Sequence, residues 1–377
     1  PGPHQFGKVF TLFGSGEQLD VFKSLITDRA GFLKDKMIDP ITGMPGVEEY
    51  VNDFYPFVRQ CLVVDGEVWG LPAFAETWDG HYNDIKYHEA GFTEHAEGEP
   101  FSDWDEFVEQ CLKAKKNKVC EYPVLWPAGV GTEQLPGCWF GMTHAMGGVI
   151  FDKQKKHALG AGSIARKALE WMRKTFVEWK ISDPRSLELR FIPQQKVWIT
   201  GHYMYSLIIR DYYLAWGNDP AQSTIAGHTR EFRMPKGRVL GAGHANVICT
   251  ARKSKEWAYM LLQYVGGKTK SGESLVHDIQ TSTNGSNSGY KSHLENYFPK
   301  VATKWIPSGN IPVVIKSYEE ATGILEVVPT MLEPWYRLWV DMLNVDVQKC
   351  LKGEITSDQC CDNLIKGIEE AKKKIAT

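Results

Sequence analysis

Glu76, Trp78 and Asp79 stand close together, a few residues after Gly70-Leu71-Pro72 and just before His81-Tyr82-Asn83. Carboxylates accept hydrogen bonds and an indole offers a flat apolar face, so the trio suits a polar ligand rich in hydroxyls. Proline lacks a backbone donor, so the stretch reads as a short strand that halts at Gly-Leu-Pro, exposes the trio, and resumes as a second strand at residues 81–83. The same residues also fit an ordinary surface turn. A glycoside hydrolase needs two acids held across the scissile bond, and Glu76 with Asp79 is the one pair that the spacing brings together.

Aromatic residues supply a second signal. Trp126, Trp139, Trp198, Tyr203, Tyr205, Trp335 and Tyr336 lie near turn residues such as Pro127, Gly137, Gly201 and Pro334, so their faces are candidates to line a groove. Taken singly, each fits the core as well. Other patterns carry less. Gly160-Ala161-Gly162-Ser163 matches a loose dinucleotide fingerprint, but the polar Lys153 to His157 before it is no buried strand, so it reads as a helix-capping loop. Gly14-Ser15-Gly16 lacks the flanks of a nucleophile elbow. His81, His88 and His95 recur at intervals of seven, yet Gly91 interrupts any helix that would align them. Tyr212-Tyr213 resembles an iron-ligating tyrosine pair, but its spacing to Leu207, Ile208 and Trp216 favours packing. No metal, cofactor or catalytic residue is expected.

These residues must be held by regular elements. Helix starts are read at Ser102-Asp103, Ser163, Ser254 and Thr356-Ser357, each before apolar residues at helical spacing. Strand-like runs are read at residues 7–13, 63–70, 124–126, 197–200 and 247–250. Residues 272–289 are rich in Ser, Thr, Asn and Gly and read as an irregular loop at a cleft rim. The alternation argues for an α/β protein, and 377 residues favour two lobes.

The 43 basic and 46 acidic residues give a formal net charge of −3 with no basic stripe, so no nucleic-acid partner is expected. No apolar run is long enough to span a membrane, and the Pro1-Gly2-Pro3-His4 start is no signal peptide; the chain is cytosolic or its export signal has been removed. The eight cysteines show no Cys-x-x-Cys pair, and a bridge from Cys350 to Cys360 or Cys361 is geometrically allowed.

The chain resembles the extracellular solute-binding proteins of bacterial ABC importers, in the carbohydrate-binding group that includes maltose and glycerol-3-phosphate binders. Four stretches carry the resemblance: Asp65 to Pro72 with His81-Tyr82-Asn83 and Ala90-Gly91-Phe92; Pro100 to Phe107; Asn218 to Pro235 with Gly241 to His244 and Ser254 to Ala258; and Pro334-Trp335-Tyr336 with Leu351-Lys352-Gly353 and Thr356. They keep the family's order from Val63 to the C-terminus. The family's longer N-terminal stretch has only a partial counterpart, a strand from Val9 to Phe13 and a helix from Leu19 to Ile26, with no "PDv" turn.

The resemblance implies an α/β, two-lobed periplasmic-binding-protein-like fold (type II) with a ligand cleft between lobes. The N-terminal lobe would comprise residues 1–78 and 246–315, the C-terminal lobe 79–245 and 316–377, with crossings near 76–79, 241–246 and 315–328. It implies a monomeric, non-enzymatic receptor for a sugar or sugar derivative that closes about its hinge and delivers to a membrane permease, in the periplasm or outside the cell, free or lipid-anchored. Glu76, Trp78, Asp79, Gly243 and His244 fall at the crossings, and Trp139, Tyr203, Tyr205 and Trp335 at positions of stacking aromatics. Trp126 is added because it ends an expected strand. The alternatives are a carbohydrate-active enzyme using Glu76 and Asp79, or a receptor for a non-carbohydrate solute such as glycerol phosphate.

Overall fold

A computed structural model describes residues 4–95 and 98–376, so the Pro1-Gly2-Pro3 start lies outside the described residues. One mixed sheet organises the chain. Its strands are β1 (Val21–Ser24), β2 (Ile38–Asp39), β5 (Leu71–Asn83), β6 (Val124–Leu125), β7 (Tyr205–Arg210), β8 (Thr229–Phe232), β9 (Leu240–Cys249) and β10 (Thr322–Gly323), while β3 (Val63–Val64) and β4 (Glu67–Val68) form a separate hairpin.

The central strand β5 has 13 residues and does not break at Gly-Leu-Pro. Pro72 is absorbed by a register shift between Pro72 and Phe74, where the missing donor would otherwise leave a gap in the ladder. The first half of β5 pairs antiparallel with β9, from Leu71↔Asn246 to Trp78↔Leu240, and the second half pairs with β7 and β8. Two apolar cores flank it. Leu71 and Ala75 join a cluster with Phe57, Val58, Val247 and Leu262, whereas Trp78 and Tyr82 join one with Phe107, Trp139, Tyr205 and Trp339. One strand therefore runs from one core into the other.

Gly80 is required on β5 by close approach. Its cross-strand partner is Phe232, and a Cβ at position 80 would lie 1.9 Å from that ring. Gly80→Ala is expected to cost about 1–3 kcal/mol through overpacking, read as a lower urea midpoint with an unchanged slope.

The helix starts hold with one shift of a residue. Asp103 is the N-cap of Trp104–Lys116, while the Glu106 carboxylate accepts from the Ser102 N–H and hydroxyl. Ser163 and Ser254 cap Ile164–Val177 and Lys255–Gly266. Thr356 and Gln359 exchange the two bonds of a capping box before Ser357–Ala376.

Four local readings are corrected. Residues 7–13 lie in the helix His4–Gly14, where Val9, Phe10 and Phe13 share one helical face against the core around Phe32. The expected helix from Leu19 to Ile26 is instead β1, which pairs with β9 and buries alternate residues Phe22 and Ser24. Residues 197–200 end the helix Phe191–Trp198, which buries Gln194, Gln195 and Trp198 at helical spacing. The polar run after Gly272 contains the helix Leu275–Asn284, stopped by Gly285 at φ 78. All eight cysteines are buried free thiols, so neither Cys360 nor Cys361 is bridged to Cys350.

Candidate functional site

Alternation along β5 puts Phe74, Glu76 and Trp78 on one face. The register then places His244 of β9 opposite Phe74 and Arg210 of β7 opposite Trp78, so five side chains meet where the three strands join. His244 stacks on Phe74 with ring centroids 4.4 Å apart. Its Nδ1 accepts the Ile26 N–H at 3.2 Å, so the proton must sit on Nε2, which lies 3.3 Å from Glu76 Oε1. Glu76 Oε1 also accepts from Trp78 Nε1 at 3.0 Å.

The other Glu76 oxygen lies 2.9 Å from Arg210 Nε, a charge contact and not an aligned hydrogen bond. Arg210 Nη2 reaches Glu133 Oε2 at 2.7 Å, and Glu133 Oε1 accepts the Thr27 hydroxyl at 2.9 Å. The guanidinium lies 4.7 Å from the centroid of the Trp78 ring and 3.9 Å from that of the Phe191 ring. A continuous polar chain thus runs from β9 through β5 and β7 to the segment after β1. Burial alone would raise the Glu76 carboxyl, but Arg210 and the His244 bond outweigh it and hold Glu76 below the usual carboxylate range. Glu76 and Arg210 are 1% and 2% exposed, so the pair is desolvated and has no screening to weaken it.

Half-buried groups lie beside this chain. Lys23 Nζ sits 4.0 Å over the Phe74 ring, and burial lowers its pKa despite the attraction of Glu76 and Glu133. Tyr212 meets the Phe74 ring edge-on at 6.3 Å and touches Tyr213 at 4.6 Å. These are a flexible donor, a phenol and an apolar face, which suit a hydroxylated ligand next to a buried charge network.

The opposite face of β5 carries different chemistry. Thr77 and Asp79 are fully buried beside Asp211, Glu231, Ser317 and Tyr318. Asp211 accepts from the Thr77 N–H, Asn287 Nδ2 and the Tyr318 hydroxyl, while both Asp79 oxygens and both Glu231 oxygens lack an aligned hydrogen bond. Glu76 and Asp79 are therefore turned to separate partner sets and do not face each other across one groove.

Of the residues singled out from the sequence, Glu76, Trp78 and His244 converge, and Gly243 packs its backbone beside Cys61 and Val58 next to them. The remainder lie apart. Trp126 is buried with Nε1 donating to Ser182, and Trp139 is buried with Nε1 donating to Ala165 O. Tyr203 bonds Asp183 at 2.6 Å and Tyr205 bonds Gln110, so both rings pack inside the protein. Trp335 packs against Phe151 and borders a recess of about 590 Å³ with Lys155, His157 and Lys372. Arg210, Glu133, Lys23 and Phe74 were missed. Phe74 was findable, because it is two residues before Glu76 and must share its face in a continuous strand.

No protein-family model matches the sequence, and neither does any curated protein. Solved structures match it along its length. Maltose-bound MalE3 of T. maritima is 17% identical with a TM-score of 0.77, over 97% of this chain and 88% of that one. An ABC transporter solute-binding protein of Agrobacterium radiobacter in complex with ribitol is 20% identical with a TM-score of 0.78, over 99% and 90%. UgpB of Mycobacterium tuberculosis in complex with glycerophosphocholine is 12% identical with a TM-score of 0.77, over 99% and 88%. The chain therefore has the two-lobed α/β fold of these binding proteins.

Proposed function

We propose that this protein is the ligand-binding receptor of an ABC importer that captures a sugar or sugar derivative between its lobes and delivers it to a membrane permease. The observation that carries the reading is the buried chain Thr27–Glu133–Arg210–Glu76–His244, set where β5, β7 and β9 meet and flanked by Lys23, Phe74 and Tyr212. Fixed, already-paired charges hold donors and acceptors rigid, so a ligand meets a preorganised polar surface. The maltose-, ribitol- and glycerophosphocholine-bound neighbours share this fold, which supports a hydroxyl-rich ligand.

In this reading Glu76, Trp78 and His244 lie under the site, Phe74 holds the Lys23 ammonium over its ring, and Lys23 and Tyr212 donate to the ligand's oxygens. Residues 1–78 with 246–315, and 79–245 with 316–377, would move as the two lobes, with β5 and β9 as crossings. The receptor would work as an exported monomer without a catalytic step. Glu76 and Asp79 face different partners, which removes the acid pair that glycoside hydrolysis would use.

Titration calorimetry tests this with mono- and oligosaccharides, polyols and their phosphates. Wild type is expected to bind one subset without forming product, and Phe74→Ala to bind the same ligand about tenfold more weakly, because the ring that positions Lys23 is lost. Product formation, or unchanged affinity in the variant, would contradict the assignment.

A further inference from the structure

The helix Lys255–Gly266 buries Ala258, Tyr259, Leu262 and Gly266, and turns Trp257, Met260, Leu261 and Tyr264 outward. That spacing makes one continuous stripe on the outer face. Beside it, Leu275–Asn284 buries His277 and Thr281 and turns Leu275 and Ile279 outward. Among the described residues these six account for half of the 12 large apolar side chains left exposed, with Trp257 at 71% and Tyr264 at 60%. Isolated exposed apolar residues need no explanation, but a concentration of this kind marks a contact surface.

The stripe is bracketed by cations. Arg252, Lys253 and Lys255 precede it, and Lys268 and Lys270 follow it, against Glu256 and Glu273. Arg252 pairs with Asp39 and Lys268 with Asp53, which leaves the exposed Lys253 and Lys270 and the half-buried Lys255 beside the stripe. Trp and Tyr near the ends of an apolar helix face, with lysines beyond them, are suited to the headgroup boundary of a bilayer. Protein–protein interfaces are depleted of lysine, whereas lysines flank this stripe on both sides.

We propose that these two helices form a docking face for an anionic lipid bilayer, the apolar stripe entering the headgroup boundary and Lys253, Lys255 and Lys270 meeting lipid phosphates. The face is separate from the Glu76 site and does not depend on what that site binds.

Flotation of the full chain with phosphatidylcholine vesicles, and with vesicles of phosphatidylcholine and phosphatidylglycerol, tests the proposal. Wild type is expected to float with the anionic vesicles and to be released by salt. Trp257→Ser with Tyr264→Ser should lower partitioning at least about tenfold, and each Lys→Gln change at 253, 255 or 270 about fivefold on the anionic vesicles alone. Lys253, Trp257, Tyr264 and Lys270 are exposed and Lys255 is half-buried at the surface, so the variants should melt like wild type. A folded wild type that stays with the soluble fraction overturns the proposal, as do patch variants that float like wild type. So does a concentration-dependent dimer in sedimentation that the same substitutions abolish and vesicles do not displace, which would assign the face to a second copy.

Discussion

Arg210→Met is expected to destabilise the protein by about 3–5 kcal/mol, because it strips the guanidinium from the buried Glu76 carboxylate and the half-buried Glu133. Glu76 is 1% exposed, and Glu133 reaches the same guanidinium at 2.7 Å. Native stabilities are only on the order of 5–15 kcal/mol, so urea unfolding at neutral pH will resolve a loss of this size. The pairing makes a second demand. Combining Arg210→Met with Glu76→Gln should recover part of the loss, since a neutral amide still accepts from Trp78 and His244. A loss under about 1 kcal/mol, or strict additivity of the two changes, would mean that Arg210 does not neutralise Glu76.

Raising the pH from about 5 to about 9 is expected to cost the wild type several kcal/mol, and Asp79→Asn clearly less. On the far face of β5, burial and the charge of Glu76 push Asp211 up to about 7, although Tyr318, Asn287 and the Thr77 N–H bond it. Burial pushes Asp79 and Glu231 well above the usual range, and their mutual repulsion and that of Asp211 add to it, against Thr77 and Ser317. Glu99 lies near Asp79, and the Asn310 side chain holds both backbone groups of Glu231, at 2.7 and 2.8 Å.

The sign follows from proton counting. Between the unfolded carboxylate values near 4 and these raised native values, the native state holds protons that the unfolded chain has released, so stability falls as pH rises. Each unit is worth about 1.4 kcal/mol, which makes Asp211 alone worth on the order of 4 kcal/mol once pH passes its native value. Asp79→Asn removes one of the three acids and relieves its neighbours. Guanidinium melts across that range measure both slopes, and a wild type that is as stable at the alkaline end as at the acid end would contradict this arrangement.

Part of the candidate site was legible from side-chain type and family resemblance. Glu76, Trp78 and His244 were singled out from composition and family resemblance, and they meet in hydrogen-bonding contact. Asp79 was grouped with them because it lies three positions after Glu76, which in a turn brings the two together. In a continuous strand that odd separation sends Asp79 to the other face, and the strand is continuous because β9 pairs with it across Pro72 and β7 and β8 take over the ladder from Trp78 and Gly80 onward. Arg210 and Glu133 are 77 positions apart and could not be joined by any local pattern. Trp126, Trp139, Tyr203 and Tyr205 sit near turn residues in sequence, yet their polar atoms bond inward to Ser182, Ala165, Asp183 and Gln110. Proximity to a proline or glycine does not tell which way a ring points.

Secondary structure failed where pairing partners decide the outcome. Val21–Ser24 is too short to be a strand on propensity, and it is one because the edge of β9 offers a ladder from Ile248 to Ala245. The helix Leu275–Asn284 was hidden by its Ser, Thr and Asn content, although Leu275 and Ile279 are spaced as on one helical face.

A thermal-shift screen of refolded, ligand-stripped protein against sugars, polyols and their phosphates tests the receptor assignment most directly. A ligand at about 100 times its dissociation constant adds roughly 2.7 kcal/mol of stability. The account predicts a rise in Tm with one subset of these compounds, smaller in Phe74→Ala at the same concentration, with the compound recovered unchanged. A folded wild type whose Tm stays fixed throughout the panel, or a compound that is consumed, would contradict it.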